Sequence, residues 1–200
     1  YRLKNKKWKM SKCASLHSEG EKHTEFLYKI SELDRDDYRD ICEVGCGVGL
    51  ISCAMGLLWP DASVVGVDRL KQTVRAARLN ALAEDVLNVE FAKWDVKKSD
   101  PDEFQASFDL VVCPWVMHEI VPSLKNNTAL DDSDKTAIKR VSELLSAEGL
   151  MVTVDRLPSG HEQQKPMLDV LEENGMKVLE QHVLHVGWEH FPLTVLEKCL

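Results

Sequence analysis

The chain has 200 residues, 44% of them hydrophobic and 29% charged, with a formal net charge of −8. That apolar content is enough for one sizeable core, while the acidic balance argues against broad, sequence-independent contact with nucleic acid, which needs a basic face. With no run of about 18 apolar residues and no opening signal peptide, neither a membrane-spanning nor a secreted chain is expected, and the six cysteines are expected to stay reduced in a cytoplasmic setting.

Residues 1–40 open with Arg2, Lys4, Lys6, Lys7, Lys9 and Lys12, with no acid before Glu19. Such a run is most simply a solvated face. Trp8, Met10, Leu16, Phe26, Leu27, Tyr28 and Ile30 add enough apolar surface for one or two helices docked on the remainder. The segment Ile41-Cys42-Glu43-Val44-Gly45-Cys46-Gly47-Val48-Gly49-Leu50 then reads as a buried strand that ends in a glycine-rich turn and enters a helix. Gly45 and Gly47 permit backbone conformations that a Cβ forbids and let a ligand approach the main chain, and Gly49 lets the helix pack against the strand. The third glycine comes one place too early for a dinucleotide fingerprint, with Leu50 where that fingerprint needs glycine. Glu43, two places before the first glycine, is expected to face the ligand crevice. There it would accept from a cation or hydroxyl and repel a pyrophosphate, so the turn suits a cationic nucleoside better than NAD.

The acid-x-G-x-G-x-G pattern after a strand resembles the first motif of the class I methyltransferases that use S-adenosylmethionine. The strand Ala62–Asp68 closes in an acid about 20 residues beyond the turn, where Asp68, followed by Arg69, would grip the ribose hydroxyls. The strand Val89–Asp95 ends in Trp94-Asp95, which resembles the position where an acid accepts from the adenine amino group while its neighbour covers the ring. The resemblance implies S-adenosylmethionine as cofactor, with Glu43, Gly45, Cys46, Gly47, Gly49, Asp68, Arg69, Trp94, Asp95, Pro114 and Trp115 as its binding residues. In such enzymes a leading segment often closes over the cofactor, so residues 1–40 are expected to form a lid ahead of a methyltransferase domain over 41–200.

Further along, a helix runs from Gln72 to Leu82, and a fourth strand from Phe108 to Cys113. Ser133 or a neighbouring aspartate caps a helix with an apolar stripe of Ile138, Val141, Leu144 and Leu145, and Gly149 is read as ending it before a fifth strand, Leu150–Val154. A helix from Glu162 to Glu173 stops at Asn174-Gly175. Two last runs, Lys177–Val186 and Phe191–Cys199, are joined by four residues, which indicates an antiparallel hairpin. The alternation implies an α/β fold: a doubly wound, mostly parallel, seven-stranded sheet, closed by that hairpin as in the methyltransferase fold.

The candidates for chemistry follow the fourth strand in Cys113-Pro114-Trp115-Val116-Met117-His118-Glu119. Only Pro114 agrees with the Asn/Asp-Pro-Pro-Tyr of enzymes that methylate nucleic acid bases. The segment looks more like the strand-end Leu-His-Glu of small-molecule methyltransferases, with His118 as a general base, Glu119 beside it and Trp115 near the sulfonium. Neither His118-Glu119 nor His161-Glu162 continues into a zinc-protease motif, and Asp131-Asp132-Ser133-Asp134 lacks the rest of a calcium loop, so no metal is expected. The expected activity is methyl transfer to a small-molecule acceptor. A protein or RNA methyltransferase sharing the cofactor site, and a non-catalytic partner subunit, are the alternatives.

Overall fold

A computed structural model of the chain describes residues 17–33, 38–100 and 107–199. The basic run and Trp8, Met10 and Leu16 lie outside the described residues. The elements are α1 (His17–Ser31), β1 (Asp40–Val44), α2 (Leu50–Leu58), β2 (Ser63–Asp68), α3 (Lys71–Ala83), β3 (Val89–Lys93), β4 (Phe108–Pro114), α4 (Met117–Ile120), α5 (Pro122–Asn126), α6 (Asp132–Ser142), β5 (Leu145–Val154), α7 (His161–Glu173), β6 (Met176–Val186) and β7 (Glu189–Lys198). The strands form one seven-stranded sheet in the order β3-β2-β1-β4-β5-β7-β6. The first five run parallel, and β7 enters antiparallel between β5 and β6.

The sheet buries both faces, which is why its inner strands are almost continuously apolar. On one face Ile41, Val64, Leu110 and Val152 pack with Phe26, Leu27 and Ile30 of α1, Met55 of α2 and Ala77 of α3. On the other face Cys42, Val67, Val111 and Met151 meet Met117, Leu124, Ile138, Val141, Met167 and Leu171. The chain reverses its direction of travel across the sheet between β1 and β4, so a crevice opens at the carboxyl ends of the neighbouring strands.

Two expectations change. The helix before β5 ends at Ser142, and β5 begins at Leu145, five residues before the predicted start. Leu144 and Leu145 are buried by the entry into the strand and not by a helical stripe. Gly149 lies within β5, opposite a register shift between Phe108 and Leu110, where an added Cβ would come within 2.8 Å of the Phe108 carbonyl oxygen. The glycine therefore serves a close backbone approach in an irregular strand and does not terminate a helix. Asp131 supplies the cap of α6, its carboxylate accepting from the Asp134 amide at 2.8 Å.

Candidate active site

Apolar β1 delivers the glycine turn to the mouth of the crevice. Gly45 has φ 75° and its amide donates to the Val67 carbonyl at 2.8 Å, as does that of Cys46 at 2.9 Å. A Cβ on Gly45 would meet Val116 Cγ2 at 2.2 Å, and one on Gly49 would meet Phe91 and Ala77 within 2.9 Å. Gly49 therefore does allow α2 to lie close to the sheet. Gly47, at φ 53°, has open space where a Cβ would stand, and its amide donates to Asp68 Oδ2 at 3.1 Å. Asp68 Oδ1 accepts from the Leu70 amide at 2.8 Å, so the end of β2 is tied directly to the glycine turn.

A cavity of about 250 Å³ lies at these strand ends, lined by Val44, Gly45, Val67, Asp68, Arg69 and Leu70, by Trp94, Asp95, Val96 and Lys97, and by Val116, Glu119 and Ile120. Three strand ends and the segment after β4 thus converge on one space. Trp94 is buried and its indole N–H donates to the Ser99 carbonyl at 3.2 Å, which fixes the ring in the wall. Asp95 accepts weakly from the Lys97 amide at 3.3 Å and faces Lys98 at 3.5 Å. Most of the lining is apolar and its carboxylates stand at the ends, the form of a site for an amphipathic small molecule. The glycine turn, the open space over Gly47 and the acids at successive strand ends fit the nucleoside and amino-acid parts of S-adenosylmethionine.

Glu43 does not present its carboxylate to the crevice. Alternation along β1 turns it under α2, where it is 2% exposed and accepts the Ser52 hydroxyl proton. Burial pushes its pKa up to about 7, against the opposing effect of Ser52. Cys46 and Pro114 are buried beside the turn and at the end of β4. Trp115, expected near the sulfonium, packs on the opposite sheet face from the cavity's apolar wall. Its ring meets His23, Phe26 and Phe191 at centroid distances of 5.3, 5.8 and 5.8 Å. Its backbone takes φ 52°, held by a hydrogen bond that its amide donates to the Val154 carbonyl.

His118 lies one residue into α4, 12% exposed. Its Nδ1 is 2.8 Å from Asp155 Oδ1, its Nε2 is 3.5 Å from Glu119 Oε1, and its amide donates to the same Asp155 oxygen at 3.3 Å. Asp155 is fully buried at the end of β5, and its other oxygen accepts from the Thr153 hydroxyl at 3.2 Å. Burial raises the Asp155 pKa, with the His118 and Thr153 hydrogen bonds acting against it. Glu119 is more than half exposed, and its pKa is lowered chiefly by Lys125, whose ammonium donates to it at 3.1 Å. Asp155, just beyond the predicted fifth strand, had no role in the sequence reading, because its partner is 37 residues away. Only the pairing of β4 with β5 brings the two together.

A family model described as a methyltransferase domain matches residues 36–191. Among curated relatives, a malonyl-[acyl-carrier protein] O-methyltransferase from Acetivibrio thermocellus is 30% identical over 52% of this chain and 38% of its own length. A tRNA1(Val) (adenine(37)-N6)-methyltransferase from a Flavobacteriaceae bacterium is 27% identical over 74% of this chain and 63% of its own. The chain thus spans less than two thirds of the length of these relatives. Among solved structures, magnesium protoporphyrin IX methyltransferase from Synechocystis with bound S-adenosylmethionine superposes with a TM-score of 0.63 at 14% identity, over 91% of this chain and 79% of that one. At that identity the likeness is one of fold. The matched family model extends from before β1 into β7 and takes in the glycine turn and all three strand-end acids, so the chain belongs to the methyltransferase domain family.

Proposed function

We propose that the chain transfers the methyl group of S-adenosylmethionine to a small-molecule acceptor and holds the cofactor in the cavity at the ends of β1 to β4. The observation that carries this reading is the convergence of Gly45, Asp68, Trp94 and Asp95 on one space. Asp68 would accept from the ribose hydroxyls, exchanging its bond from the Gly47 amide for them. Trp94 would cover the adenine face and Asp95 would accept from its amino group. The bound cofactor supplies an activated methyl on a sulfonium, so the protein has little covalent chemistry to perform and much positioning. Val116, seated over Gly45, and Ile120 narrow the side nearest the segment after β4 and exclude water there.

A small-molecule acceptor is favoured over a nucleic acid base because Cys113-Pro114-Trp115-Val116 shares only Pro114 with the base-methylating motif. Trp115 in addition packs in the core under α1, away from any position where it could stack on a base. Substitution of Asp68 by alanine removes charge-assisted bonds to two hydroxyls and should weaken S-adenosylmethionine binding by about 2 to 4 kcal/mol. Titration calorimetry of the purified protein measures this directly. Unchanged affinity in Asp68→Ala refutes the ribose assignment, and failure of the unsubstituted protein to bind the cofactor refutes the whole reading.

A further inference from the structure

We propose that Asp155 is a positioning residue that holds His118 as a general base, and that the acceptor is a hydroxyl compound, a phenol or alcohol that must lose its proton to be methylated. The inference rests on the cofactor reading above and extends it to the acceptor side.

The geometry around His118 is asymmetric. Nδ1 meets a carboxylate that is fully buried and fixed at both oxygens, one by the His118 amide and the other by the Thr153 hydroxyl. Nε2 lies 3.5 Å from Glu119 Oε1, and Glu119, though not His118 itself, lines the cavity. A carboxylate accepts and cannot donate, so Asp155, at 2.8 Å, holds the proton on Nδ1, while Glu119, farther off at 3.5 Å and paired with Lys125, leaves the Nε2 lone pair open. The same carboxylate stabilises the imidazolium once a proton has been taken up. The groups facing His118 are Asp155 and Thr153 from the end of β5 and Glu119 from α4, with Lys125 drawing Glu119 away through its own ion pair.

Such an arrangement is superfluous for a carboxylate acceptor, which is already ionised near neutrality, and less needed by an amine, whose proton can be lost to water before it binds. It serves a hydroxyl. In the step, Nε2 takes the O–H proton as the oxygen lone pair forms a bond to the methyl carbon. The carbon–sulfur bond breaks with both electrons going to sulfur. The products are a methyl ether, neutral S-adenosylhomocysteine and one proton on His118, later released to water.

The first measurement needs no variant. Long-range ¹H–¹⁵N correlation spectra of histidine-labelled protein, assigned with His118→Gln, should show His118 as the Nδ1–H tautomer at mildly alkaline pH. An Nε2–H tautomer overturns the positioning role. Asp155→Asn keeps volume and removes charge. It should abolish the tautomer preference, lower turnover at least about tenfold and no further than His118→Gln, whose expected loss is about 10²- to 10⁴-fold, and leave S-adenosylmethionine affinity unchanged by calorimetry. Loss of cofactor affinity together with turnover means that Asp155 supports the fold alone and overturns the proposal. The acceptor class is tested with methyl-labelled S-adenosylmethionine and the unsubstituted protein against catechol, phenol, benzyl alcohol, benzoate and benzylamine. Transfer to a hydroxyl, with a rate that falls on the acid side in wild type and loses that limb in His118→Gln, is the expected result. Transfer to benzoate or benzylamine alone, or to no hydroxyl at all, overturns it. Cofactor binding in the same samples separates these failures from failure of the cofactor site.

Discussion

At the scale of single residues, the buried Glu43 has a consequence that can be measured. A carboxyl whose pKa rises from the ordinary 4.5 to about 7 on folding keeps its proton in the folded state across that interval, while the unfolded chain gives it up. Its contribution to stability is therefore most favourable below pH ~4.5, declines as the pH rises toward ~7 and is constant above, a total change of up to ~3 kcal/mol. Glutamine has the same shape, still accepts the Ser52 hydroxyl and does not titrate. Glu43→Gln should thus match the unsubstituted protein near pH ~4 and exceed it in stability by as much as ~3 kcal/mol at pH ~8, read from urea unfolding midpoints. Asp155 slopes in the same direction, but it is common to both proteins and drops out of the difference. If the two unfolding curves keep a constant separation between pH 5 and 8, Glu43 is ionised in the folded protein and the burial argument fails. The glycines impose a different constraint on the same turn. At Gly45 any Cβ collides with Val116, so the floor of the cavity and the segment after β4 are fitted to one another as a pair.

At the scale of elements, α1 is part of the core and is more than a detachable cover. Phe26, Leu27 and Ile30 are at most 2% exposed and join the cluster that holds the inner strands. Phe26 also meets Trp115, whose ring lies edge-on to Phe191 of β7. Phe26→Ala should lower unfolding stability by about 3 to 5 kcal/mol. Amide exchange over residues 22–30 should already be slow without ligand, whereas exchange there as fast as in a free peptide would mean that α1 docks only on binding. Most elements could be read from the sequence because their apolar runs are bounded by strong signals. Ile41–Val44 ends in three glycines at alternate places, and α7 stops at Asn174-Gly175. The start of β5 escaped because Leu144 and Leu145 suit either a helical stripe or a strand, and Gly149 resembles a helix stop when the register shift opposite it is unseen. The acids proposed for the site, Asp68 and Asp95, were legible from their places at the ends of apolar runs together with the resemblance to class I methyltransferases. The inward turn of Glu43, the core position of Trp115 and the pairing of His118 with Asp155 were not, since each depends on which sheet face or neighbouring strand the chain meets.

At the scale of the whole molecule, the distribution of charge bears on the class of acceptor. The formal net charge is −8, and three lysines near the cavity mouth stand against acids, while Arg69 also lines the cavity. Lys97 is bound to the buried Asp134 at 3.1 Å, Lys98 faces Asp95 at 3.5 Å, and Lys125 is bound to Glu119 at 3.1 Å. Farther out, Arg140 pairs with Asp100 at 2.7 Å and Arg156 with Glu189 at 2.5 Å. A polynucleotide approaching these side chains would have to break their pairs, because affinity for it comes mainly from releasing counterions at unpaired Lys and Arg. No helix among the described residues is long and apolar enough to cross a membrane. The tRNA-modifying relative makes nucleic acid binding the comparison to run. The protein should bind mixed tRNA no more tightly than about 10⁻⁴ M at physiological salt, with a shallow dependence of log K on log salt concentration, in fluorescence anisotropy with labelled tRNA. Binding at micromolar concentration or tighter, with a steep loss on adding salt, would mean that several cations stand unpaired toward one face. That outcome would move the acceptor from a small hydroxyl compound to RNA while leaving the cofactor cavity as it is.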